Sequence, residues 1–146
     1  MTTPFRQLTA RVYASSQIGL DDVTEAARAG FGLIINNRPE GESDDQVPGE
    51  DIAAAAAAAG LGYVTIPVTH AGFSEWQVKA MAQALASTDK PVLAYCRSGT
   101  RSTLLWALAE ASGGTSPHSL AANAAQAGYD LNPVRAMLDM LSARGV

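Results

Sequence analysis

An α/β domain built on a mainly parallel sheet flanked by helices is the fold class the sequence predicts, and three observations predict it. Short apolar runs alternate with helix-like stretches along the whole chain, the pattern of strands joined by right-handed crossover helices. Glycine and proline mark almost every change of pattern. With 146 residues, 47% of them apolar and 16% charged, the chain has the size and composition of one domain around one core, residues 1–146.

The elements are taken in chain order. Residues 11–14, Arg-Val-Tyr-Ala, suit a first strand. Residues 20–29 carry Asp21 and Asp22 in a first turn and stop at Gly30, as a helix should. Residues 31–35 are a short buried strand, and residues 39–48, rich in Pro, Gly, Asp and Glu, are a loop. A helix spans residues 50–59, favoured by the alanines at 53–59. Residues 63–68 form the next strand, and Ser74 with Gln77 forms a capping box that opens a helix to Ala86. Residues 91–95 are a short apolar strand with Cys96 directly after it, and a helix over 101–111 is closed by Gly113 and Gly114. Ser116-Pro117 and Asn132-Pro133 each read as an N-cap followed by a first-turn proline, opening two final helices that stop at Gly128 and Gly145.

Ligands of a parallel sheet bind beyond the carboxyl ends of its strands. Three segments share that edge: residues 36–38, 68–72 and 96–101.

Composition excludes several classes of function. A net charge of −4 suits neither a nucleic-acid backbone nor an anionic membrane surface. The opening residues, Met1-Thr2-Thr3-Pro4-Phe5-Arg6, lack the apolar core of a signal peptide, and the alanine-rich stretch is too short and weakly apolar to span a bilayer. A single cysteine makes no intrachain disulfide. A cytoplasmic protein is the expectation. His70, His118 and Cys96 have no ligand spacing for a metal, and neither a Rossmann fingerprint nor a Walker loop is present, so no metal and no cofactor is expected. Trp76 and Trp106 read as core or groove aromatics, and His118 as a surface residue.

The chemistry concentrates at Cys96-Arg97-Ser98-Gly99-Thr100-Arg101-Ser102. A turn between a buried strand and a helix aims successive backbone N–H groups inward as an anion nest, and the helix N-terminus adds to the field. Arg101 can place a planar fork of donors over the same point, while Arg97 adds charge and can point outward. Gly99 fits the tight turn. A lone cysteine is most often a small buried hydrophobe. These surroundings instead favour the thiolate, a nucleophile at neutral pH.

That loop resembles the active loop of single-domain rhodaneses, which are sulfurtransferases. The wider chain resembles the bacterial beta-lactamase-hydrolase-like sulfurtransferase/phosphatase family. The matching motifs are Ser15-Ser16-Gln17, Ile34-Ile35-Asn36-Asn37-Arg38-Pro39-Glu40-Gly41-Glu42, Tyr63 to Val68, Leu93 to Ala109, and Ala127-Gly128-Tyr129-Asp130-Leu131. The resemblance implies a dual-specificity-phosphatase-like fold, within the protein tyrosine phosphatase superfamily, carrying a rhodanese-type loop. Phosphatases of this fold have a loop one residue longer; here Ser102 stands where their arginine would be. They also use a general acid, commonly an aspartate after the preceding strand. The corresponding stretch, Val68-Thr69-His70-Ala71-Gly72-Phe73, has no carboxylate.

The expected activity is therefore sulfur transfer through a Cys96 persulfide, from thiosulfate or a low-molecular-weight persulfide to a thiol or cyanide. Asn37 and Arg38 could line the mouth and bind an anionic donor. The alternative is a cysteine-dependent phosphatase with a phosphocysteine intermediate and His70 or Glu75 as acid. A third reading is a non-enzymatic sulfur carrier or sulfide sensor. It would serve one dedicated partner, such as a persulfide dioxygenase of the kind fused to related domains.

Overall fold

The computed structural model describes residues 5–144. Residues 1–4 of the opening segment and the expected stop at Gly145 lie outside this range. Five strands form one sheet: β1 (Arg6–Gln7), β2 (Val12–Ser15), β3 (Leu33–Asn36), β4 (Gly62–Thr65) and β5 (Val92–Tyr95), in the order β1-β2-β5-β3-β4. Only β1 runs antiparallel to its neighbour; the other pairings are parallel. The helices are α1 (Leu20–Arg28), α2 (Gly49–Ala58), α3 (Glu75–Ala86), α4 (Thr100–Ser112), α5 (Pro117–Gln126) and α6 (Arg135–Arg144), with a 3-10 turn at Asn132–Val134. Among the described residues no helix is long and apolar enough to cross a membrane.

The period of two along each strand divides the core between the two faces of the sheet. Val92 and Ala94 join Val12, Ala14, Leu33 and Ile35 under α3, α4, α5 and α6, while Leu93 and Tyr95 join Ile34 under α1 and α2. Helix α4 packs against the sheet and against α3, α5 and α6, so it has no polar face; Leu105, Trp106, Ala107 and Leu108 are all fully buried. Registers put Ser15, Tyr95, Asn36 and Thr65 in one cross-strand row. Four chains therefore leave the sheet together at one edge.

The structure corrects several boundaries. The first long strand starts at Val12; the Arg11 carbonyl still accepts the Val92 N–H at 2.8 Å, while its side chain donates to the carbonyls of Leu85 at 2.7 Å and Thr88 at 2.9 Å. The fourth strand ends at Thr65 rather than Val68. Ile66 and Val68 still donate to the carbonyls of Asn36 and Asn37, but Pro67 between them has no N–H. Asn132-Pro133 does not cap a helix directly: both residues lie in the 3-10 turn, where Asp130 Oδ1 accepts the Asn132 N–H at 2.9 Å, and α6 begins at Arg135. Trp76 is 56% exposed on α3 and is not a core residue, whereas Trp106 is. In α3, the Gln77 amide oxygen accepts the Ser74 N–H at 2.7 Å, as the capping box requires.

Candidate active site

The cysteine loop is tied to the neighbouring strand end. Cys96, 0% exposed, donates its N–H to the Ser15 carbonyl, and the Gln17 N–H donates to the Arg97 carbonyl, each at 3.3 Å. Gly99 takes a left-handed φ of +92°, which glycine adopts without strain, and its N–H points back to Cys96 Sγ at 3.1 Å. The Gly99 carbonyl then accepts from the Thr103 N–H and Oγ1, so α4 starts directly above the sulfur. Arg97, Ser98 and Thr100 are exposed on the outer side of the loop, where Ser98 Oγ donates to Thr100 Oγ1 at 3.0 Å. Ser102 is fully buried one residue past Arg101, and its Oγ has no partner among the described residues.

Arg101 meets a residue that the sequence does not single out. Its Nη1 donates to Glu42 Oε2 at 2.6 Å and to the Val68 carbonyl at 2.7 Å, and its Nη2 donates to Glu42 Oε1 at 2.8 Å. This fork is strong and geometrically specific. Hydrogen bonding from Arg101 is the main cause that holds the Glu42 carboxyl at about 2, against the opposing effect of burial; Arg38 Nε adds a bond at 3.0 Å. The same pair pushes Arg101 further up, and the neighbouring Cys96 adds to that shift. Both terminal nitrogens of the guanidinium are thus committed, to Glu42 and to the Val68 carbonyl.

Two expected mouth residues lie elsewhere. Arg38 is 4% exposed, and besides Glu42 its guanidinium holds Gln17 Oε1 at 2.9 Å and Ser43 Oγ at 3.1 Å. Asn37 is 0% exposed; its N–H donates to the Tyr95 carbonyl and its Nδ2 to the Ile66 carbonyl. Both are frame rather than mouth, since an unpaired cation or amide at that depth would be costly. His70 is exposed, two residues beyond the Val68 carbonyl that Arg101 grips. Glu75 is exposed on the first turn of α3, 3.5 Å from Lys79 Nζ. Besides Glu42, the sequence suggests no role for Tyr129, whose hydroxyl donates to the Ser98 carbonyl at 3.3 Å. The matching motif that ends at Glu42 sets it apart from Asp44 and Asp45, but within that motif nothing distinguishes it from Glu40.

Comparison with known proteins finds similarity over most of the chain. The family model described as beta-lactamase hydrolase-like protein, phosphatase-like domain matches residues 4–113. The chain belongs to that family. A beta-lactamase hydrolase-like protein of Xylella fastidiosa is 43% identical over 101 residues, covering 68% of this chain and 23% of that protein. The phosphatase-like domain described here therefore spans under a quarter of the length of that relative. The structure of a candidate phosphatase from Neisseria meningitidis is 32% identical, with a TM-score of 0.83, over 96% of this chain and 99% of that one. Tk-PTP in its active form, 18% identical, shares the fold with a TM-score of 0.76 over 99% of both chains. The fold is thus shared with solved phosphatase structures.

Proposed function

We propose that this phosphatase-like domain transfers sulfane sulfur through a persulfide on Cys96. The observation that carries the reading is the state of Glu42. It is the carboxylate bonded to the anion-binding arginine, yet it is held at about 2 and committed to Arg101, so it has no proton to give at neutral pH. Phosphomonoester hydrolysis needs an acid at the leaving oxygen; sulfite and thiolates leave without one.

In the first step the Cys96 thiolate attacks the outer sulfur of thiosulfate. A new S–S bond forms, the old one breaks, and sulfite departs with the electron pair. The Cys96 persulfide anion is held by the Gly99 N–H, with the charge of nearby Arg101 favouring it. In the second step an acceptor thiolate or cyanide attacks the outer sulfur, and the electron pair of the breaking bond returns to Cys96. A low-molecular-weight persulfide can replace thiosulfate as donor. A reducing, cytoplasmic setting would keep Cys96 in its reactive form.

The phosphatase reading is favoured by a different observation: the family description, the Neisseria relative and the fold shared with Tk-PTP all point to phosphate chemistry. It would run through a phosphocysteine, with exposed His70 or Glu75 as acid. A carrier reading, in which the persulfide passes only to one partner such as a persulfide dioxygenase, draws on the much greater length of the curated relatives.

Intact mass after thiosulfate treatment tests all three. The expected result is one added sulfur on the peptide containing Cys96, removed by a reductant, with multiple turnover when cyanide or a thiol is present. Loading without turnover would indicate a carrier. No added sulfur together with efficient aryl phosphate hydrolysis would overturn the proposal in favour of the phosphatase.

A further inference from the structure

The peptide between Ser98 and Gly99 is held at both ends. Its N–H, belonging to Gly99, donates to Cys96 Sγ at 3.1 Å, and its C=O, belonging to Ser98, accepts from the Tyr129 hydroxyl at 3.3 Å. In a trans peptide these two groups point in opposite directions, so a donor that holds the oxygen outward also holds the N–H on the sulfur. Glycine at one side of the bond leaves the plane free to rotate. The loop's own sequence does not fix it.

Tyr129 is well placed for the task. It lies in the connection after α5, beyond the residues the family model matches, and returns to the loop from there. Its N–H donates to the Ala124 carbonyl at 2.8 Å, which anchors it to the end of α5. Arg6 lies 5.8 Å from the ring centroid and donates from Nη1 to the Ala127 carbonyl at 3.0 Å, closing the other side. The hydroxyl occupies the space into which a Cβ on Gly99 would project, so the absence of a side chain there is what admits it. Burial raises the phenol above its ordinary value, so it remains a donor at neutral pH.

We propose that Tyr129 is a positioning residue for the nucleophile: by fixing the Ser98–Gly99 peptide it keeps the Gly99 N–H on the Cys96 sulfur and sustains the reactive thiolate. The inference rests on Cys96 being the nucleophile, as in the proposed function, but not on whether sulfur or phosphate is transferred.

Tyr129→Phe keeps the ring and removes the hydroxyl, and Tyr129→Leu removes both. The measurement is the rate of Cys96 alkylation by iodoacetamide against pH, with a melting temperature for each protein. For Tyr129→Phe the profile should move to higher pH and the rate at neutral pH fall about three- to tenfold, the value of one modest hydrogen bond. Its melting temperature should stay near that of the wild type. Tyr129→Leu should lose at least as much reactivity. A Tyr129→Phe profile that superimposes on a reactive wild type overturns the role of Tyr129 alone. A wild type whose Cys96 reacts no better than a free thiol overturns the nucleophile assignment and this inference with it. Should Tyr129→Phe fail to fold, hydrogen exchange at Gly99 in the wild type decides: a protected amide supports the fixed peptide, and a freely exchanging one overturns it.

Discussion

The turn around Cys96 was legible because its neighbours in sequence are also its neighbours in space: the strand before it, Gly99 with its N–H on the sulfur and the start of α4 all come from one short segment. Cys96→Ser should abolish turnover without loss of fold, because serine fits the same space but is a far weaker nucleophile at neutral pH. Circular dichroism and a sulfur-transfer assay would check both halves. Glu42 was illegible for the opposite reason. Its partner Arg101 is 59 positions away, and only the path of the acidic loop brings them together. Arg38 was misplaced by the same blindness: an arginine after a strand end looks like a mouth residue until Gln17, Glu42 and Ser43 enclose it. Glu42→Gln should cost about 2 kcal/mol at neutral pH, less than the roughly 3–5 kcal/mol of a fully buried pair because this one is partly exposed. The sign with pH is fixed by the depressed folded value. The stabilisation is complete above the ordinary carboxyl value of 4.5 and is lost as pH falls toward about 2. Urea melts of the two proteins should therefore differ most at neutral pH and converge in strong acid.

At the scale of elements, periodicity identified strands and helices well but set their ends poorly, since ends depend on side chains that leave the local pattern. Pro67 breaks the fourth strand's ladder without ending its apolar run, and the two-residue β1 is too short to carry any alternation. Loop length, by contrast, is written in the sequence. Inserting one residue between Thr100 and Arg101 should move the guanidinium away from Glu42 and Val68 and widen the nest. Sulfur loading from thiosulfate should fall, and aryl phosphate hydrolysis should rise modestly at most, because no aspartate follows Val68. Adding Asp at position 69 or 70 to that variant should raise it further. A wild type that already hydrolyses phosphomonoesters well, and loses that on insertion, would reverse the assignment. Gly99→Ala tests the same loop from inside. Its φ of +92° and the Tyr129 hydroxyl both oppose a methyl group, so a loss of roughly 1–2 kcal/mol in a denaturant melt is expected, together with lower Cys96 reactivity.

Across the whole molecule, the alternation of strands and helices specified the parallel sheet, while the strand order and the division into two core faces depend on long-range pairing that no local pattern encodes. The family match stops at residue 113, yet α4 depends on the two helices after it for its cover. Leu120 and Leu138, both essentially unexposed, come from α5 and α6 and help to bury α4. A chain ending at residue 113 should lose its cooperative thermal transition and expose apolar surface, read as dye binding. A sharp melt near the wild-type temperature would show that the last helices are dispensable.

The solitary sulfur at the base of the loop also governs how the protein would age under oxidants. Any peroxide that reaches the sulfur oxidises a reactive thiolate before a thiol. Within this chain no second thiol exists to trap a sulfenic acid as a disulfide. Such damage can be reversed only by a thiol brought from outside; otherwise it proceeds to the sulfinic and sulfonic acids. A persulfide already resting on Cys96 changes that outcome. Oxidation then falls on the outer sulfur, and reductive cleavage of the S–S bond discards the damaged atom and restores the original cysteine.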